Sequence, residues 1–140
     1  MTNESLALSY LKKAVDRLKV LQLLLKEGAY SDVVREAQEL VELALKGMLR
    51  AVGIEPPKIH DVGSFLIEHQ DRFSEDLRQD LKELADISKR LRKERELSFY
   101  GDIDFIPTEE YSIRDAQQAL EEAQKVVRAA TRAIQREGQA

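Results

Sequence analysis

The sequence predicts an all-α fold, an up-and-down bundle of four long helices plus one short helix. Three observations carry this. The 140 residues hold only 6 Gly and 3 Pro, too little turn material for many strands. Apolar residues recur at steps of three and four through four long stretches, the period of an amphipathic helix. No alternating run has convincing strand length, and no repeat or low-complexity tail interrupts the pattern. Each long stretch has one apolar face, so none is stable alone. Short connections favour antiparallel neighbours. The length suits one domain covering residues 1–140.

The first helix is expected from about Asn3 to Lys26. Leu11, Ala14, Leu18, Leu21 and Leu25 share one face, and Gly28 marks the stop. The second is expected from about Ser31, its N-cap, to Val52, with Val34, Ala37, Val41, Ala44 and Met48 inward and Gly53 as the stop. Pro56 and Pro57 make GIEPPKIHDVG the clearest loop. A short helix from roughly Val62 to His69 follows. Ser74 then caps a long helix from Glu75 to about Tyr100, with the stripe Leu77, Leu81, Leu84, Ser88 and Leu91. After the loop GDIDFIP, Thr108 or Ser112 caps the last helix, whose inward residues are Ala116, Leu120, Ala123, Val127, Ala130 and Ile134. The alanines of the second and last helices would allow close approach.

Composition narrows the function classes. Cysteine is absent, which removes disulfides and thiolate metal sites and fits a reducing compartment. MTNESLALSYLKK shows no basic leader before an apolar run, and no stretch is apolar enough to span a bilayer, so a cytoplasmic protein is expected. The net charge of -4 provides no global attraction to nucleic acid, so any such contact needs a local basic patch. The two histidines, His60 in the loop and His69 at the end of the short helix, lack metal-ligand spacing; His60 is expected to bind backbone near the start of the short helix and His69 to lie at the surface. The 26 Asp and Glu include no Glu-x-x-His pair, and no phosphate loop or nucleophile motif is present. No cofactor and no metal is expected.

RKERELSFYGD, Arg92 to Asp102, is different. Extending the stripe Leu84, Ser88, Leu91 by four reaches Arg95, which points within roughly 20° of Leu84 on an ideal helix. A guanidinium there must find an anionic or hydrogen-bonding partner. Either it snorkels from the bundle end into a structural ion pair, or it forms part of an anion site.

Two segments resemble the HEPN family, the "higher eukaryotes and prokaryotes nucleotide-binding" domain, in its small stand-alone prokaryotic type. YSDVVREAQELVELALKGMLRAVGIEPPKIHD is similar to the family's common helix and its G-x-x-P-x-x-H loop. LRKERELSFYGD is similar to its R-x(4-6)-H region. The resemblance covers about Ser5 to Ala130. It implies a helical bundle that dimerises, in which an arginine and a histidine from two protomers form a composite site for metal-independent RNA cleavage. It also implies a minimal nucleotidyltransferase as partner, in a toxin–antitoxin pair. By position, Arg95 matches the motif arginine and Glu96 the polar residue after it. Tyr100 stands where the histidine belongs, and Asp102 where some members have a tyrosine.

Histidine suits general acid–base work because its pKa lies near neutrality, whereas tyrosine, near 10, is a poor base there. The resemblance therefore implies a nucleotide- or RNA-binding and interaction module, with Arg92, Arg95 and Tyr100 as the nucleotide- or phosphate-binding residues. In a ribonuclease alternative Arg95 and Tyr100, with Ser98 or Glu96, would be catalytic. A non-catalytic helical adaptor, with the arginines as ion pairs and Tyr100 as a packing or capping residue, is the remaining reading. A variant of the enzyme reading makes the Tyr100 hydroxyl a substrate that a partner transferase would adenylylate. Five residues of helix turn about 500°, so Tyr100 would point some 140° from Arg95 unless the helix ends or tightens near Phe99, or the site is shared across a dimer. Asp102 and Asp104 would repel phosphate unless they pair with the arginines. Ile103, Phe105 and Ile106 suit a partner-docking or dimer loop.

Overall fold

The helix Tyr30–Ala51 (α2) is the centre of the fold. It packs against the three other long helices, Asn3–Lys26 (α1), Glu75–Phe99 (α4) and Ile113–Gln139 (α6), while the short helix Val62–Glu68 (α3) lies mainly on α4. The computed structural model describes residues 2–58 and 61–139, with side chains described up to 135. Its all-α bundle is the architecture expected from the periodicity. Two small elements go beyond it: a 3₁₀ turn at Gln70–Arg72 and the single-turn helix Pro107–Glu110 (α5).

Side-chain pairs fix the directions. Arg50 Nη1 donates to Asn3 Oδ1 at 3.1 Å, so α1 and α2 are antiparallel. Arg35 reaches Arg95 while Glu42 shares a pocket with Ser88, so α2 and α4 are antiparallel as well. Along α4 and α6, Asp80 pairs with Arg132 at 2.6 Å, Glu83 with Lys125 at 2.5 Å, and Arg90 with Glu122. The rising and falling numbers mark another antiparallel seam.

The alanines do what the sequence suggests. Ala37, Ala44, Ala116, Ala123 and Ala130 are all fully buried. Gly47 extends this close approach: a Cβ there would lie 3.1 Å from Ile134 Cδ1 and 3.3 Å from Tyr10 Cβ, so α2 is pinched between α6 and α1.

The helix starts refine the expectations. Ser31 is not the N-cap of α2; it lies inside the helix, buried, and Ala29 takes the cap position. The turn is tight, with Gly28 N and Ala29 N donating back to Leu25 O and Leu24 O at 3.1 and 2.9 Å, so α2 restarts at once. Ser74 does precede α4, but its hydroxyl donates to Asp76 Oδ1 at 2.7 Å. Ser112 caps α6 in a reciprocal box, Ser112 N to Asp115 Oδ2 at 2.9 Å and Asp115 N to Ser112 Oγ at 3.3 Å. Thr108 instead lies within α5, behind Pro107.

Candidate functional site

Leu77, Leu81, Leu84, Ser88 and Leu91 of α4 are all buried, as their spacing requires. The stripe then continues to Ser98, only 1% exposed, rather than to Arg95. Seven residues of helix return a side chain to within about 20° of its start, and the short serine fits against the bundle where a guanidinium would not. Ser98 Oγ donates to the Arg95 carbonyl at 3.1 Å. It is spent on its own helix and sealed from solvent. Glu96 is exposed.

Arg95 reaches outward. Its Nη2 lies 3.1 Å from Glu39 Oε1, with the two side chains 44% and 34% exposed. Arg35 Nε stands 3.4 Å from the same oxygen. Neither arginine meets that oxygen in hydrogen-bond geometry, so the contact is one of charge rather than aligned donors. Arg35 also lies over the Phe99 ring, 4.8 Å from its centroid, a cation–π contact that ties it to the end of α4. Two guanidiniums thus share one carboxylate, leaving net positive charge at a half-open surface.

Tyr100 does not join them. Helix α4 runs regularly through Phe99, with Tyr100 as its C-cap, so the angular separation of the two side chains persists. Tyr100 is 75% exposed and meets Phe99 edge-on at 4.9 Å. Gly101 makes the exit possible. Its φ is +67°, and a Cβ would lie 2.3 Å from Phe105 O and 2.6 Å from Pro107 Cδ. The loop closes on itself through paired bonds between Asp102 and Phe105, 2.9 and 3.0 Å. Asp102 Oδ1 accepts from Ile103 N at 2.8 Å, inside this turn. Ile103 is 92% exposed and Ile106 is exposed too. Phe105 is instead half-buried against Tyr111, ring centroids 5.7 Å apart. Tyr111 Oη donates to Glu94 Oε2 at 2.5 Å. Burial, then that bond, push the Tyr111 hydroxyl well above the ordinary tyrosine range.

Beside Arg95 lies a small polar pocket of about 170 Å³. Helix α2 contributes Gln38 and Glu42, and α4 contributes Ser88, Arg92 and Arg95. Lys58 from the connection after α2 and Val62 of α3 complete it. Glu42 is already paired with Lys46 at 3.2 Å. Asp61 caps α3, accepting from Ser64 N at 3.3 Å and Ser64 Oγ at 2.7 Å. Burial pushes its carboxyl up, but the bonds from Ser64 and Gly63 and the charge of Arg92 outweigh this and hold it below the usual range. Arg92 therefore faces both the pocket and the α3 cap.

The structure thus brings Arg92 and Arg95 to one pocket and leaves Tyr100 outside it. It adds Gln38, Ser88 and Lys58, which the sequence reading passes over. Gln38 had a signal: it interrupts Val34, Gln38, Val41, Leu45, Met48, steps of four and three, as Arg95 does on α4. His69, expected at the surface, is half-buried against Phe65 at 4.6 Å. His60 lies outside the described residues. Among the described residues no group of three His, Asp or Glu is placed to hold a metal, and no helix is long and apolar enough to cross a membrane.

Neither a curated protein nor a solved structure gives a match to this chain. The sequence model of the HEPN domain does, over residues 7–134, which takes in all four long helices nearly whole and every residue of the pocket. The chain belongs to the HEPN domain family.

Proposed function

We propose that this HEPN domain is a nucleotide- and RNA-binding interaction module, a single domain acting in the cytoplasm. In this reading it works as a homodimer and as the partner of a minimal nucleotidyltransferase in a toxin–antitoxin-type pair. The observation that carries it is the convergence of Lys58, Arg92 and Arg95 on one small polar pocket in which Glu42, the one carboxylate among the described lining residues, is already paired with Lys46. Guanidiniums suit phosphate because their forked donors match its oxygens. The apolar residues Leu97, Phe99, Tyr100, Ile103 and Ile106, exposed just beyond, support the docking half of the proposal. Tyr100 then serves as an exposed stacking face or as a hydroxyl open to modification by the partner, rather than as a base. The ribonuclease alternative needs a proton acceptor beside Arg95; within one protomer Tyr100 stands apart from the pocket that Arg95 lines, so that reading requires a site shared across a dimer.

Titrating a labelled single-stranded RNA into the purified protein tests this directly. Salt-dependent binding that leaves the RNA intact in chelator, and that is lost in the Arg92→Ala/Arg95→Ala double variant, is the expected result. No binding at low salt would overturn it, and RNA cleavage would replace it with the ribonuclease reading. Light scattering for the dimer and co-purification with a co-expressed minimal nucleotidyltransferase test the partner claims. A monomer that captures no such protein would remove them.

A further inference from the structure

We propose that the cavity where α4 meets α5 and the start of α6 is a docking site for a basic, apolar segment of a partner protein, with one arginine side chain entering it. This rests on the interaction-module reading and names the chemistry of the partner. Charge is the first observation. The stretch from Glu96 to Glu122 carries eight acidic side chains and one basic, Arg114, whereas the whole chain has a net charge of only -4. The fold gathers part of this charge around one cavity of about 280 Å³. Among the described residues four carboxylates line it, Glu94, Glu110, Asp115 and Glu122, against the single guanidinium of Arg90. Glu122 already pairs with Arg90. Glu94 accepts from Tyr111 Oη and Asp115 from Ser112, neutral donors that leave both carboxylates charged. Glu110 is exposed, and its carboxylate has no partner among the described residues. A cation is the complement of such a wall.

The other walls decide which cation. Phe105 and Tyr111 both line the cavity, with their rings edge-on and 5.7 Å between centroids. A planar guanidinium stacks on aromatic faces while its edge donates to carboxylates, and it sheds water more readily than an ammonium does. The volume of about 280 Å³ lies just under the ~300 Å³ at which pockets for larger ligands begin, and suits one side chain. The surroundings point to a protein as the carrier of that side chain. Ile103 is 92% exposed in the same loop as Phe105. Ile106 and Ile113, each 47% exposed, lie between that loop and Asp115. A segment that sets an arginine in the cavity and apolar side chains on these isoleucines buries both features, as an amphipathic helix in a groove does. A free small cation would leave the isoleucines in water. Nucleic acid has the wrong sign, because its phosphates would meet the carboxylates.

The test titrates the full chain into a short labelled peptide of leucine and arginine patterned as an amphipathic helix. Two control peptides replace every arginine by glutamate or every leucine by serine. The leucine–arginine peptide should bind at least about tenfold tighter than either control. Glu110→Lys reverses an exposed charge, and Ile103→Ser/Ile106→Ser removes exposed apolar surface. Each should weaken that peptide about tenfold while thermal melts show a folded protein. Equal binding of all three peptides overturns the proposal, and so does wild-type affinity in either folded variant. Spermidine that displaces the peptide at concentrations as low as the peptide itself does would assign the cavity to a free polyamine and overturn the docking site. A co-expressed minimal nucleotidyltransferase that co-purifies with the wild type and equally with both variants removes this surface while leaving the interaction reading intact. Failure to capture either the nucleotidyltransferase or the peptide overturns the underlying reading itself.

Discussion

Replacing Arg95 by alanine separates a binding arginine from a structural one. Its ion pair with Glu39 spans 3.1 Å, but the side chains are 44% and 34% exposed. Solvent screening reduces such a pair to about 0.2–1 kcal/mol. Glu39 is not stranded by the change, because Arg35 stays 3.4 Å away. In a chain of 140 residues, a loss of ~1 kcal/mol lowers the melting temperature by about 4 °C. A charge-assisted bond from a guanidinium to phosphate is larger, about 1.5–3 kcal/mol. Arg95→Ala should therefore weaken RNA roughly 10- to 150-fold. The slope of log affinity against log salt should also fall by about 0.7, the value for one phosphate on a single strand. Fluorescence anisotropy at several salt concentrations, with thermal melts on the same samples, reads both effects. Unchanged affinity and slope in a folded variant would refute the reasoning. So would a fall of more than about 10 °C in melting temperature, which would make Arg95 a structural residue.

Glu39→Gln removes the carboxylate shared by Arg35 and Arg95, so RNA binding should tighten several-fold at low salt while stability moves by no more than ~1 kcal/mol; weaker binding would contradict this. Gly101→Ala places a Cβ 2.3 Å from Phe105 O at φ +67°, and should cost at least about 2 kcal/mol in denaturant unfolding, with a cost under ~0.5 kcal/mol refuting the strain. Tyr111 has its hydroxyl pushed up by burial and by Glu94, so its contribution is present at neutral pH and is lost as pH rises above about 10. Tyr111→Phe should accordingly be less stable than wild type by about 1–2 kcal/mol at pH 7, with the gap closing in strong alkali. A gap that stays constant between pH 7 and 11 would contradict that account.

The four long helices were legible because each writes its core face at the helical period, and the first two also end at a recognisable glycine stop, Gly28 and Gly53. The cap of α6 was legible only as a choice between Thr108 and Ser112, and the reciprocal bonds of Ser112 with Asp115 decide it. Ser31 misled because the preceding turn is tight enough to start α2 early, and nothing local reports that. The anchoring of the loop after Gly101 was hidden for a similar reason. Tyr111 meets Glu94 across 17 positions, and that pairing exists only once α4 and α5 are in place. Arg95 was conspicuous as a break in the leucine stripe, and its guanidinium reaches out from that stripe to Glu39, as a snorkelling arginine does. Seven residues of helix bring Ser98, not Arg95, back over Leu91. Gln38 breaks the stripe of α2 in the same manner. Its place in the pocket becomes visible only when α2 and α4 run antiparallel and set it beside Ser88 and Arg92. Tyr100 was placed by spacing well away from Arg95, and the regular end of α4 keeps it there.

The central claim is that RNA engages the end of α4 through Lys58, Arg92 and Arg95. Backbone amide shifts of the isotope-labelled protein, followed by nuclear magnetic resonance as single-stranded RNA is added in chelator, test it most directly. The account predicts that the largest shifts cluster on Gln38, Lys58, Arg92, Arg95 and Phe99–Gly101, with the RNA recovered intact. Shifts concentrated instead along the groove between α4 and α6, at Asp80, Lys125 and Arg128, would contradict it.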